Sequence, residues 1–185
     1  GVAASPTLMM TLMTSRGLLF GLIIAELALV FIITGALNRL SLSTATLLFI
    51  VYSVLNGAML SSIFVVYTMT SIAKVFFITA GTFGAMAVYG YTTKKDLTSM
   101  GKILFMALIG LIIATVVNMF LKYVGVAIFT GLTAWDTQKI KHMLQTQYDM
   151  SEGAQKLALI GALTLYLDFI NLFLYLLRIF GSNKE

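Results

Sequence analysis

The chain has 185 residues, of which 59% are hydrophobic and only 10% are charged, whereas soluble domains carry about 25% charged residues. So few charges cannot cover a water-exposed surface, which excludes a soluble enzyme, a nucleic-acid-binding domain and a disordered regulator. Cysteine is absent, and the net charge of +5 comes from single basic residues between apolar runs, as in the loops of membrane proteins. The lipid bilayer is therefore the expected surrounding, and no nucleic acid is expected as a partner.

Apolar runs that can cross a bilayer as helices recur along the whole chain. The hydrocarbon core is about 30 Å thick and needs about 20 residues of helix. Because the runs do not alternate between apolar and polar residues, they favour helices over the strands of a barrel. We predict membrane spans over approximately residues 17–37, 45–70, 75–91, 103–121, 123–138 and 157–179.

The segment 123–138 is short for a crossing, because few apolar residues precede Asp136. It is either a half-helix or re-entrant segment, or residues are missing near Lys122 and Tyr123. The cramped sequence FLKYVG favours missing residues. Since the chain begins with Gly, we also expect an incomplete span at the N-terminus. The sequence thus predicts one all-α, polytopic transmembrane domain over residues 1–185, with seven crossings in the native protein.

Basic residues in the loops predict the orientation, because cytoplasmic loops are enriched in them. Alternate loops form two sets, with seven basic residues in one and five in the other. The larger set contains Arg39, Lys94, Lys95, Lys102, Lys139, Lys141 and Lys156, and the smaller contains Arg16, Lys74, Lys122, Arg178 and Lys184. We place the larger set in the cytoplasm, so the C-terminus lies on the opposite side.

Three carboxylates fall inside apolar spans, namely Glu26, Asp136 and Asp168. Each costs at least ~2.5–3.5 kcal/mol at the centre of a membrane helix, so a functional site is the default hypothesis. Asp168 lies eleven residues into the last span, which is near the midplane. Spacings of three and four place it on one helical face with other polar residues, namely Thr164, Asn171, Tyr175 and Arg178. The last span therefore turns a polar stripe toward the other helices.

Asp136 lies near the predicted cytoplasmic mouth and shares one side of its segment with Thr133 and Thr137. Arg39 ends the first span at the same depth. It is therefore the candidate ion-pair partner of Asp136.

A structural role is the alternative for every one of these polar residues, because buried Asp, Asn and Thr can be hydrogen-bonding contacts between helices. Asn56 and Asn118 lie at mid-depth, and we favour the structural role for them and for Thr164. For Glu26 the two roles are balanced, and for the two aspartates we favour function. The motifs GxSxG and the P-loop are absent. The YD and GxGD signatures of intramembrane aspartyl proteases are also missing, so no enzymatic activity is expected.

Glycines and aromatic residues mark packing and interface positions. We predict that helices approach each other closely at Gly81, Gly84, Gly90, Gly125 and Gly131. Tyr89, Tyr91 and Trp135 lie near span ends, which is typical of the aromatic belt at a membrane interface.

Several blocks of the sequence are similar to one membrane-protein family. GLTAWDTQKIKHM and ALIGALTLYLDFINLFLYLLRIFG resemble the last two spans of the Bax inhibitor-1 family, and MAVYGYTTKKDLTSMG and NG-x-x-LSSIF resemble its central part. The chain looks most like the bacterial inner-membrane members. The resemblance implies seven helices with the C-terminal helix central, and a pH-sensitive leak of calcium ions. It places the family's aspartate pair on Asp136 and Asp168 and its latch arginine on Arg39.

The resulting hypothesis is a passive, proton-gated calcium leak channel of the inner membrane. Ca²⁺ takes six to eight oxygen ligands, and the two aspartates, water and nearby polar side chains can furnish a weak, transient site. The supporting polar residues are Glu26, Asn171, Thr133 and Asn118. No tightly bound metal and no cofactor is expected, since calcium is the transported ion. The alternative is a non-conducting interaction protein that modulates a membrane-bound protease or a stress response.

Overall fold

The computed structural model describes residues 5–36, 39–114, 121–146 and 151–184. The helical segments are α1 (Pro6–Thr14), α2 (Arg16–Gly35), α3 (Leu42–Leu60), α4 (Ile63–Val66), α5 (Met69–Thr92), α6 (Thr98–Ala114), α7 (Leu121–Gln145) and α8 (Glu152–Phe180). The prediction of an all-α membrane protein is confirmed.

Among the described residues, three helical stretches are long and apolar enough to cross a membrane. They are Leu42–Val66, Met69–Thr92 and Glu152–Phe180, with mean hydropathies of 2.0, 1.6 and 2.0. They overlap the predicted spans 45–70, 75–91 and 157–179. Two shorter apolar helical stretches, Phe20–Gly35 and Thr98–Leu111, overlap the predicted spans 17–37 and 103–121.

The segment predicted at 123–138 is part of one continuous helix of 25 residues, α7. At about 1.5 Å per residue its length is roughly 38 Å. α7 is not among the three stretches long and apolar enough to cross a membrane, so the re-entrant segment and the missing residues both stay predictions. The second half of α7 carries the buried polar residues Thr133, Asp136 and Gln138. The junction ahead of α7, residues 115–120, lies outside the described residues.

The chain divides into two compact units. The first comprises Gly1–Met69, Met150–Ile160 and Asn183–Glu185. In it, α1 packs on α2 and α2 packs on α3. Ser15 and Ser41 cap α2 and α3 by accepting backbone N–H groups of Leu18 and Thr44 at 3.3 and 3.1 Å. Such caps satisfy N–H groups that a helix start leaves without partners.

The C-terminal tail of the chain contacts the segment around α4. Tyr67 and Asn183 form an isolated antiparallel bridge. The Lys184 backbone N–H donates to the carbonyl of Val66 at 2.9 Å, and its Nζ donates to the carbonyl of Phe64 at 2.6 Å. The tail therefore bonds to the connection between α4 and α5.

The second unit comprises Thr70–Asp149 and Gly161–Ser182, and in it α6 packs on α7. Its core contains Val75, Leu163, Leu172 and Leu177, which are at most 1% exposed. Edge-on aromatic contacts join α5 to α8, with the ring of Phe169 lying 5.6 Å from Phe76 and 5.5 Å from Phe83. These contacts fix the α8 residues that surround Asp168.

The glycine predictions are confirmed at three of the five positions. A Cβ on Gly90, Gly125 or Gly131 would overlap Ala134, Tyr175 or Leu104 respectively. A Cβ on Gly81 or Gly84 would meet nothing within 4 Å in the described part of the chain. The small-residue pattern therefore marks close helix contacts only where a neighbouring element lies against that face.

Candidate functional site

Asp136 of α7 and Asp168 of α8 lie together in the second unit. They are 7% and 5% exposed, and their carboxyl groups lie close enough to interact with each other. Two carboxyl groups in such a position can share a proton, because a protonated carboxyl group donates and an ionised one accepts. The arrangement is therefore that of a buried acid pair.

One oxygen of this pair is left over. Asp168 Oδ2 is buried and has no hydrogen-bond partner among the described residues. A buried acceptor without a donor is costly, and it is suited to a passing proton or cation. The pair can therefore bind a positive species without first breaking a bond to that oxygen.

The polar residues predicted to support the pair use their donors within their own helices. Thr133, which is fully buried, donates to the carbonyl of Phe129 at 2.8 Å. The Asn171 amide donates to the carbonyl of Leu167 at 2.8 Å. What Thr133 and Asn171 can offer to a cation is thus an oxygen lone pair, which is the ligand type Ca²⁺ prefers.

Glu26 belongs to the first unit, whereas the two aspartates belong to the second. Its half-buried carboxyl group is hydrogen-bonded to the side chain of Asn56. The Asn56 amide donates to the Tyr52 hydroxyl at 3.3 Å. Glu26 Oε1 is buried and has no hydrogen-bond partner among the described residues. The contact joins Asn56 of α3 to Glu26 of α2, and it agrees with the structural role predicted for Asn56.

Arg39 also belongs to the first unit, in a short turn after α2, and it is exposed. Its backbone N–H donates to the carbonyl of Ala36 at 2.8 Å. The ion pair with Asp136 stays a prediction. Asn118, the remaining supporting residue, lies outside the described residues.

Gln138 is a buried residue of α7 that the sequence analysis did not single out. Its Oε1 accepts the N–H of Leu97 at 2.9 Å, and its Nε2 donates to the carbonyl of Lys95 at 2.8 Å. Lys141, one turn further on, donates to the carbonyl of Tyr91 at 2.6 Å. These hydrogen bonds hold the loop 93–97 on α7. Because Gln138 follows Asp136 by two residues, the loop is attached near the acid pair. The sequence signal that could have identified Gln138 is its spacing of four from Ala134, which puts both residues on the buried face of the helix.

Asp96 in this loop starts α6. Its carboxylate accepts the Thr98 N–H at 2.9 Å, and hydrogen bonds from the Thr98 side chain and backbone lower the pKa of Asp96 below the usual range of a carboxyl group. The ionised form is favoured because it accepts those bonds. Asp96 is exposed, so its role is to begin the helix.

The metal-binding capacity of the site is small. Within the ranges that the structure describes, no group of three His, Cys, Asp or Glu side chains is placed to hold a metal ion. Two carboxylates supply at most about four of the six to eight oxygens that Ca²⁺ takes. Any calcium at the pair would complete its shell with water and with oxygens such as those of Thr133 and Asn171.

Comparison with known proteins decides the family. A family model described as "Inhibitor of apoptosis-promoting Bax1" matches residues 1–185. The chain belongs to the Bax inhibitor-1 family. It is 53% identical to the inner membrane protein YbhL of Escherichia coli strain K12, over 98% of this chain and 82% of that protein. It is 48% identical to an uncharacterized protein of Rickettsia prowazekii, over 100% of this chain and 84% of the relative.

The family relationship predicted from the sequence is therefore confirmed. The match to the Escherichia coli protein extends over 193 residues and that to the Rickettsia protein over 200, although this chain has 185. These relatives of the Bax inhibitor-1 family thus contain residues, within the matched region, that this chain lacks.

Proposed function

We propose that this Bax inhibitor-1 family member is a passive, pH-sensitive calcium leak channel of the inner membrane, without enzymatic activity. The observation that carries the proposal is the buried acid pair formed by Asp136 on α7 and Asp168 on α8. Ionisable groups inside a membrane protein are typical of ion pathways and proton relays. The name of the Escherichia coli relative supports the inner membrane as the location.

Two alternative partners of Asp136 provide the gate. When ionised, Asp136 is attracted to Arg39, which holds the closed form. When the pair takes up a proton, Asp136 bonds to Asp168 and its attraction to Arg39 weakens. Arg39 is exposed, so its attraction to Asp136 contributes at most about 1 kcal/mol, and gaining or losing that proton shifts the gate by a correspondingly modest amount.

Calcium fits the site as a transient ligand. A leak pathway needs sites that bind an ion strongly enough to admit it and weakly enough to release it. The pair offers carboxylate oxygens, including the buried Oδ2 of Asp168, but too few to complete a tight calcium shell. Weak, hydrated binding is therefore what this site supplies.

The test is calcium flux through the purified intact chain in liposomes with an imposed calcium gradient. We expect calcium influx that rises on acidification and that exceeds the influx in protein-free liposomes at every pH. A chloride-sensitive dye in parallel liposomes controls for non-selective leakage. Calcium influx equal to that of protein-free liposomes across the pH range would refute the proposal and favour the non-conducting interaction protein.

A further inference from the structure

A tryptophan flanked by two lysines lies where the start of α6 meets α7. The Trp135 ring packs so closely on the Gly101 backbone that a Cβ at Gly101 would overlap it. Lys102, the next residue in α6, is exposed. Lys139 Nζ lies 5.2 Å from the centre of the Trp135 ring. The indole thus has Lys139 over its ring, and Lys102 follows the glycine on which the ring packs.

The surroundings of Trp135 are strongly basic. Residues 93–102 and 135–146 contain five lysines and one histidine, but only two carboxylates, Asp96 and Asp136. Asp96 interacts with Lys102 and His142, and the buried Asp136 interacts with Lys139. Four lysines of these ranges are exposed, namely Lys94, Lys95, Lys102 and Lys139. Five lysines thus share two carboxylates, so the surface keeps a net positive charge.

Hydrogen bonds from α7 hold the backbone of the loop that carries Lys94 and Lys95. Gln138 bonds to the backbone of Lys95 and Leu97. Lys141 bonds to the carbonyl of Tyr91 and lies 4.7 Å from the centre of that ring. A surface that is already ordered loses less conformational freedom when it binds a partner.

We propose that the basic surface formed by Lys94, Lys95, Lys102, Lys139 and Trp135 binds the phosphate headgroups of anionic phospholipids. Tryptophan prefers the headgroup level of a bilayer, where one part of the ring is apolar and another is polar. Lysines next to an anionic leaflet add electrostatic attraction. A lipid fits this surface better than a free phosphate ion does, because the indole matches the boundary between headgroup and acyl chain.

The chain carries its own reporter for the test, because Trp135 is its only tryptophan. The intact chain is reconstituted in vesicles of phosphatidylcholine and phosphatidylglycerol, in which one lipid at a time carries brominated acyl chains that quench tryptophan fluorescence. At equal mole fractions, brominated phosphatidylglycerol should quench Trp135 more strongly than brominated phosphatidylcholine. Equal quenching by the two lipids would overturn the proposal.

Variants test the role of the lysines. Lys102→Gln combined with Lys139→Gln should lower the relative affinity for phosphatidylglycerol by about 25-fold, since each lysine near an anionic surface contributes roughly fivefold. The matched control is Lys74→Gln, which removes an exposed lysine near the other end of α5 and should leave the lipid preference unchanged. An unchanged preference in the double variant would overturn the proposal.

Two further measurements separate charge from fold and lipid from free phosphate. Replacing both lysines by arginine keeps the charge and should keep the preference, and a loss there would contradict an electrostatic headgroup site. Excess inorganic phosphate should leave the quenching by brominated phosphatidylglycerol in place. Abolition of that quenching by inorganic phosphate would instead assign the surface to the free ion and overturn the lipid assignment.

Discussion

Replacing Asp136 by Asn is the sharpest perturbation of the proposed gate. The amide has nearly the size of the protonated acid and can still donate to Asp168, so the contact between α7 and α8 is kept. It cannot ionise, so its attraction to Arg39 is absent at every pH. We expect Asp136→Asn to leak more calcium than the wild type at neutral pH and to lose most of its pH response.

The size of the effect is limited by the linkage between protonation and gating. The open fraction can shift only by the difference in proton affinity between the two gate states. A tenfold difference in proton affinity corresponds to about 1.4 kcal/mol. Asp136 is buried, and in the proposed gate it has two competing partners. We therefore take one tenfold difference in proton affinity as the size of the effect. The neutral-pH leak should thus rise by up to about tenfold.

The assay is calcium influx into liposomes at neutral and acidic pH, with equal amounts of wild-type and variant protein. Asp96→Asn is the matched control, because it removes an exposed carboxylate of the α5–α6 loop and should leave flux and pH response as in the wild type. If Asp136→Asn shows wild-type flux and wild-type pH response, the acid pair is not the gate.

The other predictions concern conduction, stability and orientation. Asp168→Asn removes one of the two carboxyl groups of the pair, so it should lower cation flux at every pH while raising thermal stability in detergent, because one ionisable group fewer is buried. Asp96→Ala should lower the melting temperature at neutral pH. Since the pKa of Asp96 is lowered in the folded protein, that difference should vanish as the pH falls through the folded-state pKa. Gly90→Ala should destabilise the protein by about 1–3 kcal/mol, measured by thermal unfolding in detergent, because the added methyl group overlaps the α7 backbone. Single cysteines at Thr98 and Asn183 should label from opposite sides of the membrane with an impermeant thiol reagent.

Matched variants make these expectations refutable. Gly84→Ala adds the same methyl group where nothing lies within 4 Å, so it should not destabilise. Equal melting temperatures for Gly84→Ala and Gly90→Ala would contradict the close contact. Asp96→Asn should retain most of the stability that Asp96→Ala loses, since an amide oxygen also accepts a helix-starting hydrogen bond. Labelling of both cysteines from the same side would reverse or reduce the number of crossings.

Hydropathy predicted the helices that contain long apolar runs, and it covered only part of α7. The helices around Tyr52, Val75 and Leu172 follow from such runs, which pack against lipid or other apolar residues. In α7 the polar residues ended the predicted span, although the side chain of Gln138 accepts a hydrogen bond from Leu97, which lies 41 residues earlier. A window of neighbouring residues contains no information about such a distant partner.

The candidate site, like the fold, could be predicted only in part from the sequence. The polar stripe around Asp168 could be read from its helical spacing, but its contact with Asp136 came from the family resemblance, because no local pattern fixes how α7 faces α8. Gly81 and Gly90 are the same residue in the same helix, yet only Gly90 meets another backbone. Which face of a helix has a neighbour is a property of the whole bundle.

The C-terminal tail has a consequence for the end of α4. The last carbonyl groups of a helix have no partner within that helix and need donors from elsewhere. Here the backbone and side chain of Lys184 donate to the carbonyls of Val66 and Phe64, so the end of the chain caps the helix that precedes α5. The helix end and the tail therefore form one energetic element, and any fusion partner that displaces Lys184 would remove the donors of two peptide carbonyls.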